Sequence, residues 1–432
     1  MDVRFVKTFS FSAGLRVMRL LIGLLLASQL ARHVGADGFG QLSVAMATVA
    51  VLLCLGELGL TRYTVRLMMT SKRPDEVVLG MTVGARLIWS SVLFGILCVG
   101  LLVVRPASWL LLLIYGVQLM TNPITEVLCW FESKQRMAEV ATAQFVGFFA
   151  SAICIGLGIW YDAPLYFFAI TYAVEGWTFL GLSWWWFHCS GGRIQLSAFR
   201  FDEAKNLVRQ SWYEMASQLA LILLFRVDAI MVGALCGSGE AGLYGASVRL
   251  SELVYFVPHI LASLYLPRMI ELRQSNPREY RSRMTDYFSL SLLVAGVCAL
   301  LLAFGSPLLG WVFGEEFKEG SRILEVHAWS FIPYAIGIAR TQYLTVENRL
   351  WVNLPSVAGA LILNVALNWF WIPIYGGLGA AWATLVAYGF AWVVSSFFLP
   401  SVGRDVGVML SQATKQLPRF VMLLIRQVWA VR

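Results

Sequence analysis

The sequence predicts an all-α integral membrane protein of about twelve transmembrane helices in two six-helix bundles. Three observations carry that reading: scarce charge, long stretches with none at all, and an uneven placement of Lys and Arg. Of 432 residues, 13% are charged and 59% are apolar. A soluble protein carries about 25% charged residues, so this chain lacks the polar surface an ordinary cytosolic enzyme needs. The seven cysteines are scattered, which excludes a disulfide-rich secreted domain. The net charge of +8 does not point to nucleic acid, because the basic residues lie between apolar runs and face a membrane surface instead.

A helix needs about 20 apolar residues to cross roughly 30 Å of hydrocarbon. Runs free of Asp, Glu, Lys and Arg include Gly38–Gly56, Leu87–Val104, Pro106–Thr125, Val140–Tyr161, Tyr287–Gly314 and Leu350–Gly403. The last is long enough for two spans, divided at Pro373 and Gly376-Gly377. Adding stretches interrupted by one or two charges gives spans at 12–31, 39–61, 80–104, 107–131, 140–161, 164–188, 211–235, 243–267, 286–313, 323–346, 350–373 and 377–400. The runs are apolar on all sides, which excludes a transmembrane β-barrel and its alternating strands.

Lys and Arg test the count. With the N-terminus inside, 25 of the 33 fall in cytoplasmic segments (Arg4 to Arg19, then 62–73, 134–136, 193–209, 268–283, Arg349 and the stretch after 400). Four are external (Arg32, Arg105, Lys318, Arg322) and four lie within spans (Arg86, Arg226, Arg249, Arg340). This positive-inside asymmetry favours an even count with both ends cytoplasmic. Trp184-Trp185-Trp186 falls at an inner boundary, where interfacial aromatics belong. The first apolar stretch lacks a small-residue cleavage site and reads as a retained helix.

The polar stretch 191–210 follows span six and separates an N-terminal lobe (1–190) from a C-terminal lobe (211–400). The remaining 401–432 reads as a basic amphipathic tail on the cytoplasmic face. Both lobes repeat a pattern at their first external turn: Asp37-Gly38-Phe39-Gly40 in one, Glu240-Ala241-Gly242-Leu243 in the other. With the 6 + 6 count this suggests parallel repeats, an architecture that holds substrate between the halves.

Enzyme chemistry is not indicated. No glycine precedes a lysine, so there is no P-loop. His33, His188, His259 and His327 are not at ligand spacing, and no Cys-x-x-Cys occurs, so neither metal nor cofactor is implied. Gly237-Ser238-Gly239-Glu240-Ala241-Gly242 joins two membrane helices and reads as a tight turn, not a dinucleotide fingerprint.

Charge inside the bilayer costs about 2.5–3.5 kcal/mol at a helix centre, so it needs a partner or water. Across the hairpin that turns near 239, Asp228 stands level with Arg249 and Arg226 with Glu252. These pairs serve either as structural bridges or as switchable charges beside a cavity. Glu214, Gln218 and Asp228 share one stripe of span seven. Glu175 sits near mid-membrane with no charged neighbour on its own helix, which makes it a candidate proton or cation site. Arg86 and Arg340 lie about 9 Å from the cytoplasmic end and can snorkel to headgroups. Asn364 and Asn368 share a face suited to interhelical hydrogen bonds.

The stretch Leu30-Ala31-Arg32-His33-Val34-Gly35-Ala36-Asp37-Gly38-Phe39-Gly40 with Glu57-Leu58-Gly59-Leu60 resembles the start of bacterial polysaccharide-repeat-unit flippases. These belong to the multidrug/oligosaccharidyl-lipid/polysaccharide exporter superfamily. So do Arg226-Val227-Asp228, Gly242-Leu243-Tyr244, Arg249-Leu250-Ser251-Glu252, Pro258 and Pro267, and later Asn368 to Pro373 with Gly376-Gly377-Leu378-Gly379-Ala380-Ala381.

The resemblance implies a V-shaped transporter in the bacterial plasma membrane. It would move an undecaprenyl-diphosphate-linked oligosaccharide outward by alternating access, with a polysaccharide polymerase and a chain-length regulator as partners. Flippases of the peptidoglycan precursor typically have fourteen helices, and twelve argue against that assignment. A pyrophosphate needs cations, which Arg supplies bidentately. Arg16, Arg19, Arg86, Arg226 and Arg249 are the candidates, with Glu175, Asp228 and Glu252 for ion coupling or gating. Drive would come from the membrane potential, about 2.3 kcal/mol per charge per 100 mV, or from proton or sodium exchange. The alternatives are a multidrug or cation antiporter of the same superfamily and a membrane glycan polymerase. A single-cysteine accessibility map should place 35–38 and 314–322 on one side, with 70–75 and both chain ends on the other; an end on the 35–38 side overturns the topology.

Overall fold

The computed structural model describes the backbone of residues 3–106 and 108–430, with side chains over 18–106, 108–400 and 402–418. Among the described residues every regular element is helical and none is a strand. Ten helices among the described residues are long and apolar enough to cross a membrane. The first of them holds two predicted spans, and the predicted span at 323–346 is built from two shorter helices, which reconciles ten with about twelve. Leu102, Trp160, Phe304 and Trp311 are among the large apolar side chains left exposed, as a hydrocarbon-facing surface requires.

Contacts group the chain into two compact units, 1–242 and 243–432. The first unit begins with α1 (Val3–Gly56), interrupted at Gly35, whose φ of 71° and ψ of 177° divide it into two spans. Only glycine adopts that geometry without strain. Two successive left-handed residues, Leu58 (φ 53°) and Gly59 (φ 64°), end α1 and lead into α2 (Leu60–Thr70). Next comes α3 (Asp75–Val104), with Asp75 and Glu76 in its first turn, where the helix dipole favours anions.

The predicted span 107–131 is not one helix. It runs as α4 (Trp109–Gly116), α5 (Gln118–Thr121), a 3-10 turn over Asn122–Glu126 and α6 (Val127–Ser133). Pro123 lacks the N–H that an α-helix would use there. Two long helices follow, α7 (Met137–Trp160) and α8 (Leu165–Cys189). They approach closely because Gly147 faces the backbone of α8: a Cβ there would lie 2.7 Å from the Glu175 carbonyl. Small residues permit such packing in lipid.

The segment expected to link the lobes is docked. The Gln195 N–H donates to Glu76 O at 3.0 Å, and a Cβ on Gly80 would meet Gln195 O at 1.9 Å. Its second half is already helical, opening α9 (Phe201–Cys236). This helix runs along α1: the Ser211 hydroxyl donates to Leu58 O at 2.9 Å, and Gly59 abuts the Met215 backbone. That packing explains why α9 groups with the first unit.

The second unit contains most of α10 (Ser238–Glu252), then α11 (Phe256–Ser275), α12 (Pro277–Phe304), α13 (Leu308–Phe313), α14 (Ser321–Ala328), α15 (Phe331–Val346), α16 (Asn353–Tyr375), α17 (Gly377–Trp392) and α18 (Pro400–Ala430). Asn276 caps α12, accepting from Glu279 N at 3.3 Å, with Pro277 at the first helical position. Of the tail expected at 401–432, residues 402–416 pack into this unit along α18, and the side chains of Phe420, Val421, Leu424 and Val428 lie outside the described residues. Val402, Val406, Met409 and Ala413 join a core with Met284, Tyr287 and Tyr343. The Thr285 hydroxyl donates to Gln412 at 3.4 Å and that of Ser289 to Gln416 at 3.3 Å. Equal offsets mean that α18 runs parallel to α12.

Candidate functional site

In the first unit, the 3-10 turn between α5 and α6 places three side chains opposite α3. Arg86 Nη1 donates to Glu126 at 2.7 Å, and Nη2 donates to Asn122 at 2.6 Å and Thr125 at 3.0 Å. Arg86 and Glu126 are 1% and 0% exposed. Asn122 also donates to Leu53 O at 2.9 Å, which ties the cluster to the end of α1, and the Cys129 thiol donates to Glu126 at 3.1 Å. Arg86 therefore does not reach the headgroups as expected. Its guanidinium fits the gap left by the interrupted helix, and a buried carboxylate neutralises it. Arg340, in the second unit, is also fully buried rather than snorkelling; it donates to Asn353 at 3.3 Å and Ser356 at 3.0 Å.

A second ion pair of this unit is partly open. Arg19 of α1 donates to Glu175 of α8, and its guanidinium stands 5.4 Å above the Phe148 ring centroid, a cation–π distance. Its side chain is 41% exposed and that of Glu175 23%. The structure thus joins a predicted anion-binding residue to a predicted coupling residue. Glu175 lies ten residues into α8, so the carboxylate sits within the span, and Arg19 meets it from the inner end of the first span. Arg16 lies outside the described side chains.

At the Gly35 end of α1, the two copies of the repeated glycine pattern meet. A Cβ on Gly40 would lie 1.8 Å from Ser238 O, and one on Gly242 would lie 2.0 Å from Ala36 O. Backbone touches backbone at both glycines. The Ser238 hydroxyl donates to Asp37, and Gln41 donates to the other Asp37 oxygen at 2.8 Å. Gly237, at φ 89°, makes the turn that the sequence predicts there.

At the Gly59 end, Arg62 pairs with Glu214 at 3.2 Å, and Gln218 donates to Glu214 at 2.9 Å, which begins the predicted polar stripe of α9. Further along, Asp228 is 3% exposed and Arg226 is partly buried. In the second unit Arg249 and Glu252 are partly buried.

The second unit holds a ladder between parallel elements. Ser251 and His327 Nδ1 are 2.7 Å apart, Tyr255 and Ser330 hydroxyls 3.4 Å, and His259 Nε2 and Tyr334 OH 2.9 Å. Arg273 donates to Glu347 at 2.8 Å, extending the same register. Tyr255 stacks on Tyr334 with centroids 4.1 Å apart. Asn368 donates to Asn364 at 3.1 Å, so the two asparagines share a face as predicted, bonded within α16. Sequence reasoning gave no role to Glu126, Asn122 or Tyr334; the Asn-Pro pair inside an otherwise uncharged run is the signal that marks the interrupted helix around Arg86. No metal-binding cluster of His, Cys, Asp and Glu occurs among the described residues.

A family profile described as polysaccharide biosynthesis protein matches residues 5–273. Two curated proteins of Haloferax volcanii are similar. One, the probable low-salt glycan biosynthesis flippase Agl15, is 24% identical over 203 residues, 46% of this chain and 43% of that protein. The other, the probable flippase AglR, is 23% identical over 201 residues, 44% and 40% of the two chains. The matched region is less than half the length of either relative.

Two solved structures share the fold. The lipid II flippase MurJ in an inward closed conformation has a TM-score of 0.70 at 13% identity, covering 97% of this chain and 92% of that one. An inward-facing multidrug resistance MATE family transporter has a TM-score of 0.69 at 12% identity, covering 92% and 96%.

The Arg86 cluster makes a stability test. Arg86→Ala leaves Glu126 buried without a cation, a change that costs about 3–5 kcal/mol. Thermal unfolding in detergent should fall steeply for Arg86→Ala and recover in part for the double variant Arg86→Met/Glu126→Leu. Equal unfolding of wild type and Arg86→Ala would show that the pair holds nothing together.

Proposed function

The chain belongs to the polysaccharide biosynthesis protein family, and from that premise we propose that it is a flippase for a lipid-linked oligosaccharide. The cargo is an undecaprenyl-diphosphate-linked repeat unit, carried from the cytoplasmic to the outer leaflet by alternating access for cell-surface polysaccharide synthesis. The moving halves are the six-helix lobes, 1–190 and 211–400, in a plasma membrane with both chain ends inside. A polymerase and a chain-length regulator act on the delivered product.

The observation that carries this reading is the Arg19–Glu175 pair. A partly exposed guanidinium at the inner end of a span, paired with a carboxylate, can exchange that carboxylate for a pyrophosphate oxygen. The bidentate geometry of Arg suits the incoming group. Arg16, Arg226 and Arg249 are further candidate partners for the pyrophosphate, and Asp228 and Glu252 are candidate coupling or gating carboxylates. Arg86 is left out of this set because Glu126 already neutralises it. The two named relatives are probable flippases, one of them for glycan biosynthesis, which supports a glycan cargo over the drugs and cations of antiporters with this fold.

The Gly40–Gly242 contact supports alternating access. Bare backbone on both sides can seal and part without dragging side chains through one another, and Asp37 with Ser238 supplies a breakable latch.

Two outcomes are expected. In proteoliposomes loaded with fluorescent undecaprenyl-diphosphate oligosaccharide, Arg19→Ala should slow flipping at least tenfold. Glu175→Gln should tighten binding and slow release, because it removes the competing carboxylate; unchanged rates in both variants would defeat the exchange idea. Separately, Asp37→Cys with Ser238→Cys, in a chain whose seven native cysteines are replaced, should stop transport on cross-linking and regain it on reduction. Transport that continues through the cross-link would show that this contact does not open.

A further inference from the structure

The ladder of the second unit ends in an unusual place. Its first rungs are enclosed: Ser251, His327 and Ser330 are 1%, 3% and 0% exposed. Its third rung is not, because Tyr334 is buried at 6% while His259 is exposed. His259 lies near the middle of the apolar stretch Ser238–Ser275. A polar imidazole exposed at that depth is stable against water, not hydrocarbon. Ser263, one turn on, is exposed as well, so the polar face continues along α11.

The backbone agrees. The turn at 253–255 tightens to three-residue spacing, with Tyr255 N donating to Glu252 O at 3.0 Å and Val257 N to Val254 O at 3.0 Å. Opposite it, α14 and α15 are separated at Trp329-Ser330, where the Ser330 hydroxyl donates to His327 O at 2.6 Å. Both elements are interrupted at the rung where they meet, and irregular backbone at membrane depth occurs where it is enclosed or lines a wet cavity.

The imidazole is held in place. Tyr334 OH is 2.9 Å from Nε2, and the Tyr334 ring is wedged between Tyr255 at 4.1 Å and Trp392 at 5.5 Å. Such a packed aromatic group has little rotational freedom, so its hydroxyl fixes the orientation of the histidine.

Charge decides what this face takes. Glu252, the last residue of α10, lies close enough for its charge to act on Tyr255 and Tyr334. A carboxylate at this face accepts from hydroxyl groups. An imidazole both donates and accepts in its neutral form. The combination suits an uncharged polyhydroxylated ring.

We propose that His259 contacts the sugar portion of the cargo, with Tyr334 as its positioning residue, and so gives this protein its preference for a glycan-bearing carrier over the bare carrier. The inference rests on the flippase reading above and names the residue that senses the glycan.

The test measures binding in nanodiscs to two probes: undecaprenyl diphosphate carrying a repeat oligosaccharide, and undecaprenyl diphosphate alone. Wild type should bind the first at least tenfold more tightly. His259→Ala should bring that ratio below about twofold without changing affinity for the bare carrier. His259→Gln, which keeps a donor and an acceptor, should retain part of the preference, and Tyr334→Phe should fall between Ala and wild type. A ratio unaltered in His259→Ala overturns the proposal, and so does equal loss of affinity for both probes, which would mark a structural role. A wild type that binds both probes equally also overturns it, whereas the flipping rate of the oligosaccharide probe in proteoliposomes judges the transport reading separately.

Discussion

In hydrocarbon, water cannot rescue a polar group, so a charge buried there is stabilised by a partner inside the protein. The Arg86–Glu126 contact is the clearest consequence in the first unit. Interruption of the helix around Asn122-Pro123 frees the groups that surround the guanidinium, and the guanidinium in turn fills the space the interruption leaves. Neither half of that arrangement is stable alone. Through Asn122 the cluster reaches Leu53 O, four residues before Glu57-Leu58-Gly59, where α1 gives way to α2 and α9 packs against the turn. A single buried pair thus sets the geometry of three neighbouring elements.

The second unit meets the same constraint with neutral groups. Its rungs are a serine with a histidine, a tyrosine with a serine, and a histidine with a tyrosine, all at nearly one register between helices that run the same way. Stacked rings fill the space between rungs. Aromatic packing of this kind adds about 0.5–1.5 kcal/mol per pair beyond simple burial. The ladder therefore joins two interrupted elements that would otherwise be weak points. Arg340 is enclosed and held by an asparagine and a serine.

Much of this architecture can be read from the sequence because membrane spans advertise themselves. The charge-free runs, the division at Pro373 and Gly376-Gly377, the turn at Gly237 and the shared face of Asn364 and Asn368 all rest on local composition. Side-chain partnerships do not. Arg19 and Glu175 are 156 positions apart, and nothing near either one announces the other; Glu175 looks isolated only while its own helix is considered. Arg86 looks able to snorkel from its depth alone, since depth says nothing about which face of the helix meets the bundle. The tail after Pro400 has the pattern of a surface helix, yet the alternation that would suit a membrane interface also suits packing against α12 and α15.

The contact at Gly40 and Gly242 has a bearing on engineering. Each glycine supplies the bare surface against which the other turn rests. A side chain gained at one cannot be accommodated by shrinking the other, because there is nothing left to remove. A chimaera that draws its halves from different relatives would inherit the same demand, and its first point of failure would be these two turns.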